Sequence, residues 1–225
     1  MSNNDSFIDE VNDEVRRDRL YGMLRRYGWI AVVLIVLVVG GAAFNEWQKA
    51  QSRAQAEALG DAMLNALKLN DSAERAAAFS EIETSQPSAR AVLNFLTATE
   101  DYAAGDAAEA AARLQEVANN NDVPLIYRQI ASFKLLGQGA ATMSVEERRA
   151  GYEALIQPGV PLRLLATEQL ALIDIETGDT DAAIARLKSI LEDSEVTPDL
   201  QQRALQVIVA LGGEPDLGAN SANGN

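Results

Sequence analysis

Sixteen consecutive residues, Trp29 to Phe44 (WIAVVLIVLVVGGAAF), carry no charge. A stretch this apolar partitions into lipid, where no water is available to pair with backbone N–H and C=O groups. It must therefore close its own hydrogen bonds as a helix. Counted from Tyr27 to Trp47, aromatic residues suited to the two interfaces, the segment is 21 residues long. At 1.5 Å per residue it reaches about 31 Å, close to the ~30 Å hydrocarbon thickness of a bilayer. Ten of the sixteen positions are Val, Ile, Leu or Phe, Ile30, Leu34 and Leu37 among them. Together they favour insertion by roughly 3 to 6 kcal/mol. One crossing is expected, over residues 29–47.

The flanks orient it. Arg16, Arg17, Arg19, Arg25 and Arg26 precede the span, and only Lys49 and Arg53 follow closely. The positive-inside rule then keeps the amino-terminal head, residues 1–28, in the cytoplasm and exports the rest. A cleavable signal peptide is the competing reading, because Gly41-Ala42-Ala43 supplies small residues for cleavage. Its charged region would be unusually long and would hold six carboxylates, so a retained anchor fits better.

Composition removes several chemistries. The chain has no cysteine and no histidine, so disulfides, thiol catalysis, the commonest general base and the commonest metal ligand are all missing. After Asn45 there are 14 Lys and Arg against 27 Asp and Glu. Such a surface repels nucleic acid and anionic headgroups. It suits solubility, or the attraction of basic or unfolded chains. No run has the alternating oxygen ligands of a calcium loop, and neither metal nor cofactor is expected.

The head reads as a short amphipathic helix. Ser6 and Asp9 have the form of a capping box, Phe7, Val11 and Val15 make a narrow apolar stripe, and Asp13 and Arg17 sit four apart. Beyond the span, residues 46–69 contain no proline and are expected to prolong the membrane helix outward, bending near Gly60. Asn70-Asp71-Ser72 then stops it and caps a second helix over 73–84.

Pro87, Pro124, Pro161 and Pro198 recur every 37 residues. Proline suits the first turn of a helix, where its missing N–H would be unpaired anyway. Aligning the segments on these prolines puts Leu96, Phe133, Leu170 and Val207 in one apolar column and Ala98, Leu135, Leu172 and Val209 in another. A recurrence of this length marks an α-solenoid. A second repeat overlies it: Gly105-Asp106 with Ala110, Arg113 and Leu114 matches Gly178-Asp179 with Ala183, Arg186 and Leu187, offset by 73. The glycine permits a tight turn and the alanine permits close helix approach. The helix pairs expected are 88–104 with 107–119, 125–137 with 145–156, and 162–177 with 180–193, closed by 199–211. The middle pair has Gly139-Ala140 and a longer turn through Ser144. Residues 48–211 thus form one repeat domain, and 212–225, rich in glycine and asparagine, read as a disordered tail. The fold class is all-α.

This glycine-aspartate turn, with a small residue five positions on and a large apolar one four further, resembles the tetratricopeptide repeat. The usual early aromatic is poorly kept, since Asn94 and Thr167 fall near its place. The whole layout, led by FIDEVNDEVRRDRLYGMLRRYGW from Phe7 to Trp29, resembles a bacterial family of ancillary subunits of the Sec translocon. That resemblance implies an inner-membrane protein with a periplasmic repeat domain, associated with SecYEG and with a membrane-anchored periplasmic prolyl isomerase. It also implies a role in assisting unfolded exported proteins. A scaffold for another envelope complex, in division or wall synthesis, is the alternative.

A solenoid offers a concave face to extended chains. Candidate groove residues on the first helix of each unit are Asn94, Tyr102, Arg128, Lys134, Arg163 and Glu168. An enzyme would have to work with carboxylates, Glu146-Glu147 or Glu81 with Glu83, or with a Ser-Lys dyad. These carboxylates read as the solvated side of helices, and no catalytic residue is assigned. Because the chain lacks cysteine, single introduced thiols report its orientation. An impermeant maleimide applied to intact bacteria is expected to label Asp199→Cys and to spare Ser2→Cys; the reverse pattern would invert the topology.

Overall fold

The computed structural model describes the backbone of residues 4–214 and, within that range, the side chains other than those of residues 4–24, 27, 28, 31 and 141. The expected head stripe, its capping residues, the Asp13–Arg17 pair, Tyr27 and the tail from residue 215 lie outside the described residues. The chain divides into two compact units, Met1–Asp61 and Ala62–Asn225.

The first unit is the greater part of α1 (Asn4–Leu67), a helix that continues without interruption through Gly60. Absence of proline from 4–67 leaves its backbone ladder intact. From Val32 to Val39 every side chain is exposed, on all sides of the helix. A helix apolar all round is of the kind that a membrane or a large protein core covers. Part of Val32–Leu67 is long and apolar enough to cross a membrane.

In the second unit the last turns of α1 place Ala66 in the interior and half-bury Ala62 and Met63. Eight further helices follow among the described residues: α2 (Ser72–Ser80), α3 (Pro87–Ala104), α4 (Ala107–Asn119), α5 (Leu125–Gln138), α6 (Val145–Glu153), α7 (Arg163–Glu176), α8 (Thr180–Leu191) and α9 (Pro198–Ala210), with a 3-10 turn at Gly139–Ala141. The expected pairs are present with ends shifted by at most a few residues, α6 stopping three short of its expected end. Helix α2 also stops four residues early, at Ser80. Two of the four prolines open a helix as anticipated, and the other two stand just before one. Pro87 and Pro198 lie in the first turns of α3 and α9, Pro124 caps α5, and Pro161 stands two residues ahead of α7.

The true repeat is twice as long as the proline spacing. Blocks α2–α5 and α6–α9 superimpose in sequence at an offset of 73, which aligns caps as well as cores. Asp71 caps α2 by accepting from the Glu74 N–H, and Ser144, 73 residues on, caps α6 by accepting from Glu147. After α3 and α7, Gly105 and Gly178 adopt φ of 96° and 83°. There the N–H groups of Asp106 and Asp179 reach back to the carbonyls of Asp101 and Asp174, each at 2.8 Å. This left-handed termination favours glycine because a Cβ would strain it. Phe79 and Tyr152, Leu114 and Leu187, and Val117 and Ile190 are buried equivalents at the same offset.

That offset corrects one column. Ala98 is buried, but its partner in the proline alignment, Leu172, is 42 % exposed and Val209 is 60 % exposed. The interior equivalent of Ala98 is Ala171, one residue earlier. Pro161 and Pro198 each stand one residue later than the equivalents of Pro87 and Pro124, which are Val160 and Thr197, so prolines and core fall out of step.

Buried clusters along the array carry the packing, one of them Ala98, Ala110 and Leu114 between α3 and α4. Ala91, Val117, Val123 and Ala131 join α3, α4 and α5. Leu136, Tyr152, Leu155, Ala166, Leu170 and Ile173 join α5, α6 and α7. Ala171, Leu187, Ile190, Leu200, Ala204 and Ile208 join α7, α8 and α9. In α5 Ile130 is half-buried, and Phe133 and Leu136 enter the core shared with the second block. Their equivalents in α9 are Arg203, Gln206 and Val209, mostly polar and exposed. Helix α9 therefore closes the array, as terminal repeats must where no further unit stacks.

Ala183→Leu is expected to destabilise the protein by about 1 to 3 kcal/mol through overpacking, whereas Ala185→Leu on the exposed side of α8 stays near neutral. Urea unfolding of the full chain in detergent separates the two.

Candidate interaction surface

Arginine–carboxylate pairs bind successive helices together. Asp101 of α3 accepts from Arg113 Nε of α4 at 2.6 Å, and its equivalent Asp174 of α7 accepts from Arg186 Nε of α8 at the same distance. Asp174 is only 2 % exposed and takes a second arginine, Arg149 of α6, also at 2.6 Å. Burial pushes its carboxyl pKa up, but the hydrogen bonds from Arg149 and Arg186 and their charge together outweigh this and hold it below the usual range. Nearby, Arg148 of α6 forks onto Glu176 at 2.6 and 2.7 Å. In the first block Arg75 of α2 grips Glu100 of α3 and the carbonyls of Leu69 and Asn70.

These pairs absorb much of what the sequence offered as groove chemistry. Arg163 spends its guanidinium on Asp193 at 2.6 and 2.8 Å and on Glu195 at 2.7 Å. Glu168 accepts two bonds from Arg203 of α9. Arg128 donates to Asn121 at 3.1 Å, and its buried Nε has no hydrogen-bond partner. Lys134 and Tyr102 are exposed, and Asn94 is half-buried. The six candidates are therefore not equivalent: Arg163 and Glu168 tie α7 to its neighbours, while Tyr102 and Lys134 face solvent.

The carboxylates weighed for catalysis also have structural work. Glu147 completes the α6 capping box, accepting from the Ser144 N–H and hydroxyl at 2.8 Å. The backbone bond, then the hydroxyl, lowers its pKa. Its neighbour Glu146 lies exposed in the first turn, where negative charge suits the helix dipole. Glu81 and Glu83 are exposed around the end of α2. No cluster able to hold a metal ion is found among the described residues.

The exposed apolar surface lies elsewhere. Leu125 and Ile126 begin α5 at 59 % and 37 % exposure. An open cleft of about 620 Å³ is lined by Ile156, Pro158, Gly159, Val160, Pro161, Arg163 and Glu195. Sequence reasoning passed over it because an apolar loop between two helices has no periodicity to announce it. Its one local signal is the Pro-Gly-Val-Pro run at 158–161.

Breaking the ion pairs has measurable consequences. Asp174→Ala is expected to cost about 1 to 3 kcal/mol, since it removes the shared partner of Arg149 and Arg186, whose side chains are 29 % and 32 % exposed; thermal unfolding in detergent measures it. Asp193 is held at about 2, chiefly by Arg163 and then by the Glu195 N–H. A carboxyl depressed by folding stabilises fully above its unfolded pKa of about 3.9 and loses that contribution as pH falls toward the folded value. The urea-midpoint gap between the natural chain and Asp193→Asn should therefore be open at neutral pH and narrow between about pH 4 and pH 2.

Residues 24–149, from the apolar span to α6, match the family model described as a tetratricopeptide repeat-like domain. No curated protein and no solved structure matches the chain.

Proposed function

The chain belongs to the tetratricopeptide repeat-like domain family, and on that premise we propose that it is a non-catalytic, membrane-anchored interaction scaffold at the Sec translocon of the bacterial inner membrane. The observation that carries this reading is the unbroken passage of α1 from an all-round apolar stretch to Ala66 at the head of the repeat array. Anchor and array share one helix, and a tether of this kind raises the local concentration of the array at a single membrane location.

In this reading the arginine-flanked head is cytoplasmic and α2–α9 stand in the periplasm, where the absence of cysteine is harmless. SecYEG, a membrane-anchored prolyl isomerase and unfolded exported chains are the proposed partners, reached through weak contacts repeated along the array. Tyr102, Lys134 and Asn94, with Arg128, Arg163 and Glu168 beside them, are proposed to border the groove. The acidic surface favours clients that are basic or unfolded.

Affinity capture of the full chain in mild detergent is expected to recover SecYEG subunits. Replacing residues 1–28 with an unrelated amphipathic head of equal charge is expected to abolish that recovery. Capture of a division or wall-synthesis assembly in place of SecYEG would reassign the scaffold to that complex.

A further inference from the structure

The connections after α2 and α4 lie together around Ala91, Val117 and Val123, and those after α6 and α8 are joined through Arg163, Asp193 and Glu195. Residues 81–86, 120–124, 154–162 and 192–197 contain Glu81, Glu83, Asp122, Glu192, Asp193 and Glu195 and no lysine or arginine. The nearby guanidinium groups are already committed: Arg90 to the Thr84 carbonyl, Arg128 to Asn121, and Arg163 to Asp193 and Glu195. The six carboxylates outnumber the nearby cations Arg90, Arg128, Arg163 and Lys188, so the connections carry a net negative charge, and the open cleft lies at the one after α6.

The internal duplication indicates that the cleft's apolar wall is no demand of the fold. Ile156, Pro158, Gly159, Val160 and Pro161 stand where the first block has Glu83, Ser85, Gln86, Pro87 and Ser88. The first block makes the same helix-to-helix connection with a mainly polar loop. The arginine changes partner too, since Arg90 folds onto its own loop while its equivalent Arg163 reaches across to the next connection. A cleft of this volume falls within the range that receives a ligand group.

We propose that the connection after α6, centred on Val160 and Pro158, docks an extended polypeptide segment in which a bulky apolar side chain is flanked by lysine or arginine. The apolar side chain enters the cleft, and the flanking cations meet the carboxylates of the connections. The proposal rests on the scaffold reading and adds, to the groove proposed above, a client contact at the connection after α6.

The test uses the full chain in lipid nanodiscs and fluorescein-labelled unstructured peptides, read by anisotropy. One peptide carries Leu-Phe-Leu between lysine pairs, a second has glutamates in place of the lysines, and a third has serines in place of the apolar core. Only the first is expected to bind measurably, with affinity that falls as salt rises. Val160→Asp and, separately, the exposed-loop change Pro158→Asp are expected to weaken it by about tenfold or more, with unfolding midpoints unchanged for Pro158→Asp. Val209→Asp, exposed near the end of α9, is expected to leave binding intact. Binding that survives both cleft variants, or that Val209→Asp alone removes, overturns the proposal and leaves the scaffold reading standing. Equal binding of the glutamate peptide, or no binding of the lysine peptide, also overturns it. Loss of SecYEG capture bears on the scaffold reading alone.

Discussion

Two helices can lie side by side at close range only where the side chains between them are small, and this array places alanine at those crossings. Ala98 and Ala110 between α3 and α4, and Ala171 and Ala183 at the equivalent places of α7 and α8, are all but inaccessible. Close approach dictates the other features of each pair. It demands a short turn, which the left-handed Gly105 and Gly178 supply. It brings Asp101 to Arg113 and Asp174 to Arg186 across the pair, and it directs Leu114 and Leu187 into the interior. Enlarging any of these alanines would separate partners that the turn, the ion pair and the apolar contact all need together.

Above that pairwise constraint lies a second level, in which pairs are joined by charge as well as by apolar packing. The arginines of α2 and α6 reach the following helix, Arg75 to Glu100 and Arg149 to Asp174, each across 25 residues of sequence. A buried carboxylate shared by two arginines is poor evidence for net stability, because desolvation offsets much of the attraction. Its value is in register: Asp174 can satisfy both arginines only when α6, α7 and α8 are all in place. The acidic excess of the domain thus consists of carboxylates left over after the arginines are engaged.

The local elements were legible from sequence because they depend on local rules. Proline at the first turn, Asp-Ser before α2, glycine-aspartate between paired helices and an all-apolar run are each read within a few residues, and the helix pairs fall close to where those signs put them. The 73-residue offset was visible in five residues, yet its meaning as a duplicated four-helix block emerged only when caps and cores aligned with it. The Leu172 and Val209 column failed because Pro161 and Pro198 are offset by 74 from Pro87 and Pro124 while the core is offset by 73. The groove residues were harder still. Arg163 meets Asp193 thirty residues away and Glu168 meets Arg203 thirty-five away, and no pattern in one helix shows that its charge is already engaged. The cleft at 156–163 escaped for the opposite reason, being built from irregular chain.

The contrast between α5 and α9 also defines where this architecture could grow. Ile130, Phe133 and Leu136 make α5 a surface on which a block can be laid, while Arg203, Gln206 and Val209 make α9 a surface that refuses one. A further 73-residue cassette would therefore be accommodated at the α5–α6 junction, between the existing blocks, and not beyond α9. The length of the array's surface can then change by insertion between the blocks while its closing helix is kept.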